Sequence, residues 1–407
     1  MDNKHCRLCG ALLTTTFVDL GVLPLCQSYL RADELERTEP FYPLHAHVCE
    51  HCWLVQLPVY VPPSEIFTEY AYFSSHSDSW LQHARSLAER MCEELSPGDQ
   101  VIEAASNDGY LLQFFRERGM RILGVEPAAN VAQVAIERGV PTLAEFFGDA
   151  LAQRLSREGV QARLVLALNV LDHVPDLADF AAGMRRLVAP EGVVVVEFPH
   201  LCSLIEQNEF DTIYHDRFSY LSLTTVVRAF ESQGLTVCDV EELPTHGGSL
   251  RVYARRSEAG PMVRPSVGAL LEREQRRGVT SVEYYRAFGE RVGQTKFELL
   301  EFLIAAKRAH KSIVAYGIPA KGNVLLNYCG VRREFLDYVV DRSPYKQGKF
   351  TPGTHIPILP VEEVLRTRPD YLLILPWNVK EEIMEQMAEI RGWGGRFVTP
   401  VPTLQVM

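Results

Sequence analysis

The sequence lacks any apolar stretch that could cross a membrane, because about 18 uncharged apolar residues never follow one another. The first residues do not lead into the apolar run of a secretory signal either. Basic residues are in deficit, since 41 Lys and Arg face 52 Asp and Glu and give a formal charge of −11. A nucleic-acid partner would need a basic face. We therefore expect a cytoplasmic protein with a small substrate and with neither a membrane nor a nucleic-acid partner. The oligomeric state stays open, with a monomer as one option.

Glycine is scarce in a turn where dinucleotide-binding proteins need it. A strand pattern containing Glu103 leads into a turn with a single glycine, Gly109, and the next strand pattern ends at Glu126. The three-glycine motif is therefore absent, whereas an acid after the second strand suits a ribose diol. The pattern predicts an adenosine ligand without pyrophosphate, above all S-adenosylmethionine (SAM); a βαβ unit without a ligand is the alternative. The candidate cofactor-binding residues are Glu103, Ser106, Asp108, Gly109, Glu126, Pro127 and Asn169.

Cysteine, by contrast, occurs in a pattern typical of metal sites. Among nine cysteines, Cys6 and Cys9 form one Cys-x-x-Cys pair, and Cys49 and Cys52 form another. Four thiolates can close tetrahedrally around Zn²⁺ and leave no position open for chemistry. A redox pair, the alternative, would not need a partner pair. The pattern predicts a structural zinc ion that holds together a segment too small for a core of its own; His51 is an alternative ligand.

Polar side chains gather where the predicted strands of the middle segment end. The apolar run 162–171 is typical of a buried parallel strand, and Asp172 and His173 follow it. The run 193–198 ends in the same way at His200. Because ligands of open α/β sheets lie beyond the carboxyl ends of the strands, we expect these residues to face one crevice.

One short segment mixes tyrosine, histidine, acid and arginine more densely than a surface loop requires. It contains Tyr214, His215, Asp216 and Arg217. We interpret it as part of a substrate site.

Aromatic and small polar residues also precede a helix that the spacing predicts from Trp80 to Leu95. Tyr72 and His76 in this segment are pocket candidates, and a packed aromatic connector is the alternative. His246, beside a pair of glycines, is a further candidate for the site.

The C-terminal part repeats the strand–turn–helix pattern. A charged, largely helical stretch from 257 to 311 leads to an apolar strand that begins at Ile313, and Lys321 and Asn323 follow in the turn. Amides and the helix dipole favour a phosphate at such a helix N-terminus. We predict a phosphate contact from Lys321, with a solvated lysine as the alternative.

Taken together, these residues resemble the sugar C-methyltransferase family that acts on nucleotide-linked 4-keto-6-deoxy sugars. The resemblance covers nearly all of the chain: both cysteine pairs and the segments 103–112, 124–127, 169–174, 197–200, 213–220, 246–249, 316–323 and 341–357. It implies an α/β protein with three parts. These are a zinc-binding module at 1–66, a central Rossmann-like SAM-binding catalytic domain at 67–256, and a C-terminal Rossmann-like domain at 257–407 that holds the nucleotide sugar.

The resemblance also implies a reaction. A base removes the proton α to the C4 ketone, a donor or cation stabilises the enolate oxygen, and the carbon attacks the SAM methyl. The catalytic candidates are Tyr214, His215, Asp216, Arg217, His173, Asp172 and His76. The substrate-binding candidates are Tyr72, His200, His246, Lys321 and Asn323.

The sequence departs from the family at the position of the catalytic base. The family segment reads Tyr-His-Glu-His, and Arg217 stands where its last histidine, thought to be the base, would be. Arginine stays charged and cannot act as a base. Family members also commonly have tyrosine at the position of His76 and alanine at that of Asp172. Two hypotheses follow: methyl transfer with a base relocated to His76, His173 or His215, or a non-methylating epimerase or isomerase of the same substrate class.

Overall fold

The computed structural model describes residues 4–67 and 73–407, so the candidate Tyr72 lies outside the described residues. The chain divides into two compact units. The first comprises Met1–Leu13, Cys49–Leu201 and Asp216–Thr280, and the second comprises Thr14–Val48, Cys202–His215 and Ser281–Met407. Each unit contains a mainly parallel sheet with helices, which confirms the predicted α/β class.

The strands largely follow the apolar runs of the sequence, because strands buried on both faces need apolar side chains on both. In chain order they are β1 (Thr15–Leu23), β2 (Tyr42–Val48), β3 (Val55–Gln56), β4 (Gln100–Ala104), β5 (Arg121–Val125), β6 (Thr142–Leu143), β7 (Ala162–Leu168), β8 (Val188–Pro199), β9 (Ser219–Tyr220), β10 (Leu235–Leu243), β11 (Ser249–Arg256), β12 (Ile313–Tyr316), β13 (Val339–Val340), β14 (Ile358–Leu359), β15 (Tyr371–Ile374), β16 (Arg396–Thr399) and β17 (Gln405–Val406).

The α-helices of the described residues are mostly short. They are α1 (Pro63–Ile66), α2 (Asp78–Met91), α3 (Leu112–Glu117), α4 (Ala129–Glu137), α5 (Asp149–Arg157), α6 (Leu177–Leu187), α7 (Leu201–Glu206), α8 (Leu223–Glu231), α9 (Pro265–Arg277), α10 (Val282–Arg308), α11 (Ala320–Cys329), α12 (Glu363–Thr367) and α13 (Lys380–Gln386). Within the part of the chain that the structure describes, none of them is long and apolar enough to span a membrane.

The sheet of the first unit has seven strands in the order β10-β11-β8-β7-β4-β5-β6. The strands from β8 to β6 are parallel, whereas β11 is antiparallel to both of its neighbours, β8 and β10. The chain winds from β4 through β5 to β6 and then crosses back to β7 on the other side of β4. The order therefore reverses between β4 and β7, and a ligand crevice is expected beyond the carboxyl ends of these strands.

Local signals set several element ends in this unit. The helix predicted over 80–95 is α2, whose first N–H groups are capped by Ser77: its hydroxyl accepts from the Trp80 amide at 3.3 Å. It ends at Met91, four residues before the predicted end at Leu95. Asp176 caps α6 by accepting from the amides of residues 178 and 179.

One strand differs from its predicted extent. The sequence predicts a helix that ends near Pro190-Glu191-Gly192 and a strand that begins at 193, yet β8 already begins at Val188. Its pairing with β7 shifts register between Ala162 and Leu164, so the Pro–Glu–Gly residues lie in a bulge. A bulge tolerates proline because the missing N–H is not needed for the ladder.

The second unit contains the antiparallel pair β1–β2 and a six-stranded sheet in the order β14-β13-β12-β15-β16-β17. All neighbours in that sheet are parallel except β16 and β17. This is the strand order of dinucleotide-binding folds, with the reversal between β12 and β15. The second Rossmann-like fold is therefore confirmed, and α11 begins directly after β12, at the reversal.

Candidate active site and zinc centre

The four predicted zinc ligands come together in the first unit. The sulfurs of Cys6, Cys9, Cys49 and Cys52 all lie within 4.8 Å of one another. Cys6 Sγ is 3.4 Å from Cys52 Sγ, and Cys9 Sγ is 3.5 Å from Cys49 Sγ. Tetrahedral Zn–S bonds of about 2.3 Å place sulfurs about 3.8 Å apart, so this set of donors fits Zn²⁺.

Both cysteine pairs lie in tight turns that present their sulfurs to the same point. The Gly10 amide donates to the Cys6 carbonyl at 2.9 Å, and the Trp53 amide donates to the Cys49 carbonyl at 2.8 Å. Gln56 Nε2 donates to Cys6 Sγ at 3.2 Å. Outer-shell bonds of this kind orient a metal ligand.

The turn after β4 is strained at the predicted cofactor crevice. The φ angles are 55° at Ala105, 47° at Asn107 and 79° at Gly109, and Asn169 after β7 has a φ of 50°. Only glycine adopts this left-handed region without cost, and strained residues cluster at functional sites. A side chain at position 109 would also clash, since an added Cβ would lie 2.7 Å from Val140 Cγ2.

Two buried acids lie at the carboxyl ends of β4 and β5. Glu126 is 5% exposed and accepts from the amides of Asn107 (3.0 Å) and Ala128 (2.9 Å). Burial raises its pKa, which these two hydrogen bonds partly offset. Burial also raises the pKa of Glu103 well above its usual range, against a hydrogen bond from Tyr110. Pro127 follows Glu126 directly and leads into α4.

Buried polar atoms at this edge of the sheet fit SAM. Within the described residues, Ser106 Oγ, Asp108 Oδ1 and Asn169 Oδ1 are buried without a hydrogen-bond partner. They follow β4 and β7, at the reversal point. Leaving such atoms unpaired is costly, and SAM offers donors for all three through its ammonium, ribose hydroxyl and adenine amino groups.

The segment before α2 is tied to this turn. The Ser74 amide donates to Asn107 Oδ1 at 2.8 Å, and the Ser75 hydroxyl donates to Asp108 Oδ2 at 2.5 Å. Arg138 Nη1 donates to the same Asp108 oxygen at 2.7 Å and to Ser75 Oγ at 2.9 Å. The sequence interpretation did not single out Arg138, because nothing in its local pattern connects it to a residue 30 positions earlier.

Four catalytic candidates cluster beyond β7. Arg217 Nε is 3.1 Å from Asp172 Oδ2, and His173 Nε2 is 3.7 Å from the same oxygen. His173 Nδ1 is 2.6 Å from the Asp216 carbonyl oxygen. Burial raises the pKa of the Asp216 carboxyl, although the charges of His173 and Arg217 oppose this. The guanidinium of Arg217, two aspartates and the imidazole of His173 thus lie close together.

The remaining histidine candidates of the first unit lie in different surroundings. His76 is exposed, with its ring 5.4 Å from that of Phe73. His200 is 3% exposed, and its Nε2 is 2.8 Å from Glu274 Oε1. His246 has a φ of 55° and lies 5.5 Å, ring to ring, from Trp80.

A buried ionic network beside Trp80 escaped the sequence interpretation. Glu197 at the end of β8 is fully buried and binds Arg251 Nε at 2.5 Å and His83 Nε2 at 2.8 Å. His83 stacks on Trp80 with ring centroids 4.8 Å apart. The sequence interpretation did not single out His83, and only the packing of α2 brings this side chain to Glu197.

In the second unit, Tyr214 is partly buried and His215 is 4% exposed. His215 Nε2 lies 3.2 Å from the Tyr42 carbonyl oxygen, and burial lowers the pKa of its ring. Burial therefore favours the neutral imidazole, although the hydrogen bond to the carbonyl opposes this.

The second unit also places Lys321 in the first turn of α11, as predicted. Its Nζ donates to Asn378 Oδ1 at 2.9 Å and lies 4.2 Å from the ring centre of Trp377. Trp377 Nε1 in turn donates to Asp211 Oδ2 at 2.8 Å. Asn323 is 1% exposed and donates to the Cys26 carbonyl at 2.7 Å.

Comparison with known proteins covers the whole chain. The family model described as "Putative zinc binding domain" matches residues 6–67, "Methyltransferase domain" matches 77–240, and "C-methyltransferase C-terminal domain" matches 244–402. The C-methyltransferase NovU of Streptomyces niveus is 37% identical over 405 residues, which are 99% of this chain and 96% of NovU. The chain belongs to the C-methyltransferase family. This C-methyltransferase uses SAM and carries a zinc-binding domain.

More distant relatives match parts of the C-methyltransferase. A ubiquinone biosynthesis O-methyltransferase of Rhodopseudomonas palustris (strain TIE-1) is 28% identical over 112 residues, 26% of this chain and 44% of its own. The PH0226 protein of Pyrococcus horikoshii OT3 has a TM-score of 0.39 at 16% identity, covering 47% of this chain and 97% of its own. Magnesium protoporphyrin IX methyltransferase of Synechocystis PCC 6803, with bound SAH, has a TM-score of 0.36 at 16% identity, covering 47% of this chain and 91% of its own.

Proposed function

We propose that this C-methyltransferase methylates the carbon α to the ketone of a nucleotide-linked 4-keto-6-deoxy sugar, through an enolate. Its resemblance to the sugar C-methyltransferases supports the substrate class. The observation that carries the chemistry is the cluster of Asp172, His173, Asp216 and Arg217 beyond β7, beside the SAM crevice of the same sheet. SAM supplies an electrophilic methyl group, so the protein's task is to remove the α-proton and stabilise the resulting charge.

His173 is our candidate for the base. A backbone carbonyl can only accept, so the contact with Asp216 assigns the hydrogen to Nδ1 and leaves a lone pair on Nε2. Asp172 lies 3.7 Å from Nε2 and would stabilise the imidazolium that forms on proton uptake. His76 is exposed, and His215 already uses Nε2 toward the Tyr42 carbonyl, so neither offers such a prepared base.

Arg217 is our candidate for the group that stabilises the enolate. Its guanidinium is partly buried and permanently charged, and the ion pair with Asp172 fixes its orientation. A preorganised cation of this kind stabilises a developing oxyanion more strongly than water does. Proton removal and charge stabilisation are thereby divided between positions 173 and 217.

The C-terminal domain is our candidate for the nucleotide site. Lys321 lies at the N-terminus of the ten-residue helix α11, where the dipole and free amides favour phosphate. Asn378 and Trp377 hold its ammonium at the reversal of the second sheet. The division into domains at 1–66, 67–256 and 257–407 is part of the same proposal, as are the site roles of Tyr72, His200, His246 and Asn323.

Mass spectrometry in deuterated water tests the proposed function. A nucleotide 4-keto-6-deoxy sugar is incubated with the protein and SAM, with His173→Gln as the variant control. We expect the sugar to gain a methyl group as SAM becomes S-adenosylhomocysteine, and the variant to lose both methylation and α-deuterium exchange. Deuterium uptake with SAM left intact would contradict methyl transfer and support the isomerase hypothesis.

A further inference from the structure

Arg7 lies between two zinc ligands, yet its side chain contacts a different part of the first unit. Its Nε donates to the Pro175 carbonyl at 2.8 Å, and its Nη1 donates to the Leu57 carbonyl at 2.7 Å. Its Nη2 donates to the Phe218 carbonyl and, at 3.3 Å, to Ser219 Oγ. One guanidinium thus binds four acceptors from three separate segments of the chain.

Two of these segments carry the cluster beyond β7. Pro175 lies two residues after His173, and Phe218 directly follows Arg217. The two loops are also joined by the Phe218 amide, which donates to the Asp172 carbonyl at 2.8 Å. Arg7 therefore adds a bridge between the loop of the candidate base and the loop of the candidate enolate-stabilising cation.

The zinc centre determines where the Arg7 backbone lies. The Arg7 amide donates to Gln56 Oε1 at 3.1 Å, and Gln56 Nε2 donates to Cys6 Sγ. With Cys6 and Cys9 on either side, a metal ion held by these cysteines would anchor this residue in position. The rigid fork of arginine can bind several carbonyls in fixed directions, whereas the flexible lysine ammonium cannot.

We propose that Arg7 is a positioning residue through which the zinc centre holds His173 and Arg217 in their working arrangement. The proposal rests on the proposed function, because it takes these two residues as the ones that act on the substrate. The zinc-binding segment would then contribute to the geometry of the reaction as well as to folding. Misplacement by about 1 Å can slow a reaction about 100-fold, so a loosened bridge has a measurable effect.

Arg7→Lys tests this, with Arg228→Lys as the matched control. Arg228 Nη1 donates to the His51 carbonyl at 2.8 Å, so it also contacts the zinc-binding segment, but in the second cysteine turn. Zinc content and melting temperature are measured first. Nitrogen-15 NMR of histidine-labelled protein then reports which ring nitrogen of His173 carries the hydrogen, with the resonance assigned through His173→Gln.

For Arg7→Lys we expect zinc and the SAM dissociation constant to be retained. We expect the His173 signal to shift to a mixture of tautomers and kcat to fall about 100-fold. Arg228→Lys should leave the tautomer and kcat unchanged. The proposal is overturned if Arg7→Lys keeps the original tautomer and kcat, if it loses zinc, or if the control is affected equally.

If Arg7→Lys does not fold, the same NMR measurement is made on Ser219→Ala, because this substitution removes one hydrogen-bond acceptor of the Arg7 guanidinium. A shift in the His173 tautomer supports the proposal, and an unchanged spectrum overturns it. Since the NMR measurement needs no substrate, failure to methylate the nucleotide sugar would reject the proposed function without deciding the role of Arg7.

Discussion

The two Rossmann-like sheets use the same strand–turn–helix pattern but place different ionisable side chains at their reversal points. After β4 and β5 the first crevice is lined by buried acids, Glu103, Asp108 and Glu126. After β12 the second presents Lys321, while Asp341, directly after β13, pairs with Lys346 Nζ at 3.0 Å and accepts from the Ile318 amide at 2.9 Å.

The difference shows that the pattern of strands and turns sets where a ligand lies but not which ligand it is. Acidic and polar acceptors in the first crevice suit the cationic groups and hydroxyls of SAM. A lysine at a helix N-terminus in the second suits a phosphate. The fold is shared, and the chemistry of each site depends on a few side chains at the strand ends.

The largest effect is expected at the cluster that belongs only to the first crevice. His173→Gln should lower kcat about 1,000-fold, in the range of a lost general base, and leave the SAM dissociation constant unchanged. His310→Asn is the control, because His310 is exposed and its φ of 54° is tolerated by asparagine. Steady-state kinetics and calorimetry provide the measurements. A kcat within tenfold of the native value would remove His173 as the base.

The next largest effect is expected for Asp211, the acid that interacts with Lys321 and Trp377. Burial raises the pKa of Asp211 to about 6 from its usual 3.8, although Lys321 and the Trp377 N–H oppose this. At Asp211 the folded state therefore binds more protons between these two pH values, so the contribution of this carboxyl to stability is greatest below pH 3.8 and is lost as the pH rises through 6.

Asp211→Asn removes this penalty and keeps an oxygen for the Trp377 N–H. We expect it to stabilise the protein at pH 8 by at most about 3 kcal/mol and at pH 5 by about half as much. Denaturant unfolding of both proteins at the two pH values measures the difference. A gain that does not depend on pH would contradict a raised pKa at this position.

Glu126→Gln compares the two crevices directly. Glutamine keeps one acceptor and loses the negative charge, so we expect SAM to bind about 100-fold more weakly by calorimetry. Asp341→Asn, the equivalent change in the second sheet, should leave SAM affinity unaltered. Equal losses in the two variants would show that the crevices do not differ as we describe.

The smallest effect is expected for Lys321→Met. Loss of one phosphate contact should raise the KM for the nucleotide sugar about tenfold, with kcat and SAM affinity retained. Lys311→Met is the control, because Lys311 is exposed and pairs with Asp370 at 2.8 Å. An unchanged KM would leave Lys321 as a structural partner of Asn378 and Trp377.

Much of the fold could be predicted because it follows from local patterns. Apolar runs such as 162–168 became strands, and the helical spacing that begins at Trp80 became α2. The start of β8 at Val188 could not be predicted in this way. The residues Pro190-Glu191-Gly192 have the composition of a turn, and only pairing with β7 makes them a bulge.

The sequence by itself determined the α/β class, the four zinc ligands and the acid that follows β5, since each depends on spacing within a few residues of the chain. Only the tertiary structure decided the hydrogen bonds of Arg7, the network of His83 and the contact of Arg138 with Asp108. Their partners are 168, 114 and 30 residues away, respectively. Such contacts form when strands and loops pack together, and they cannot be predicted from a local pattern of residues.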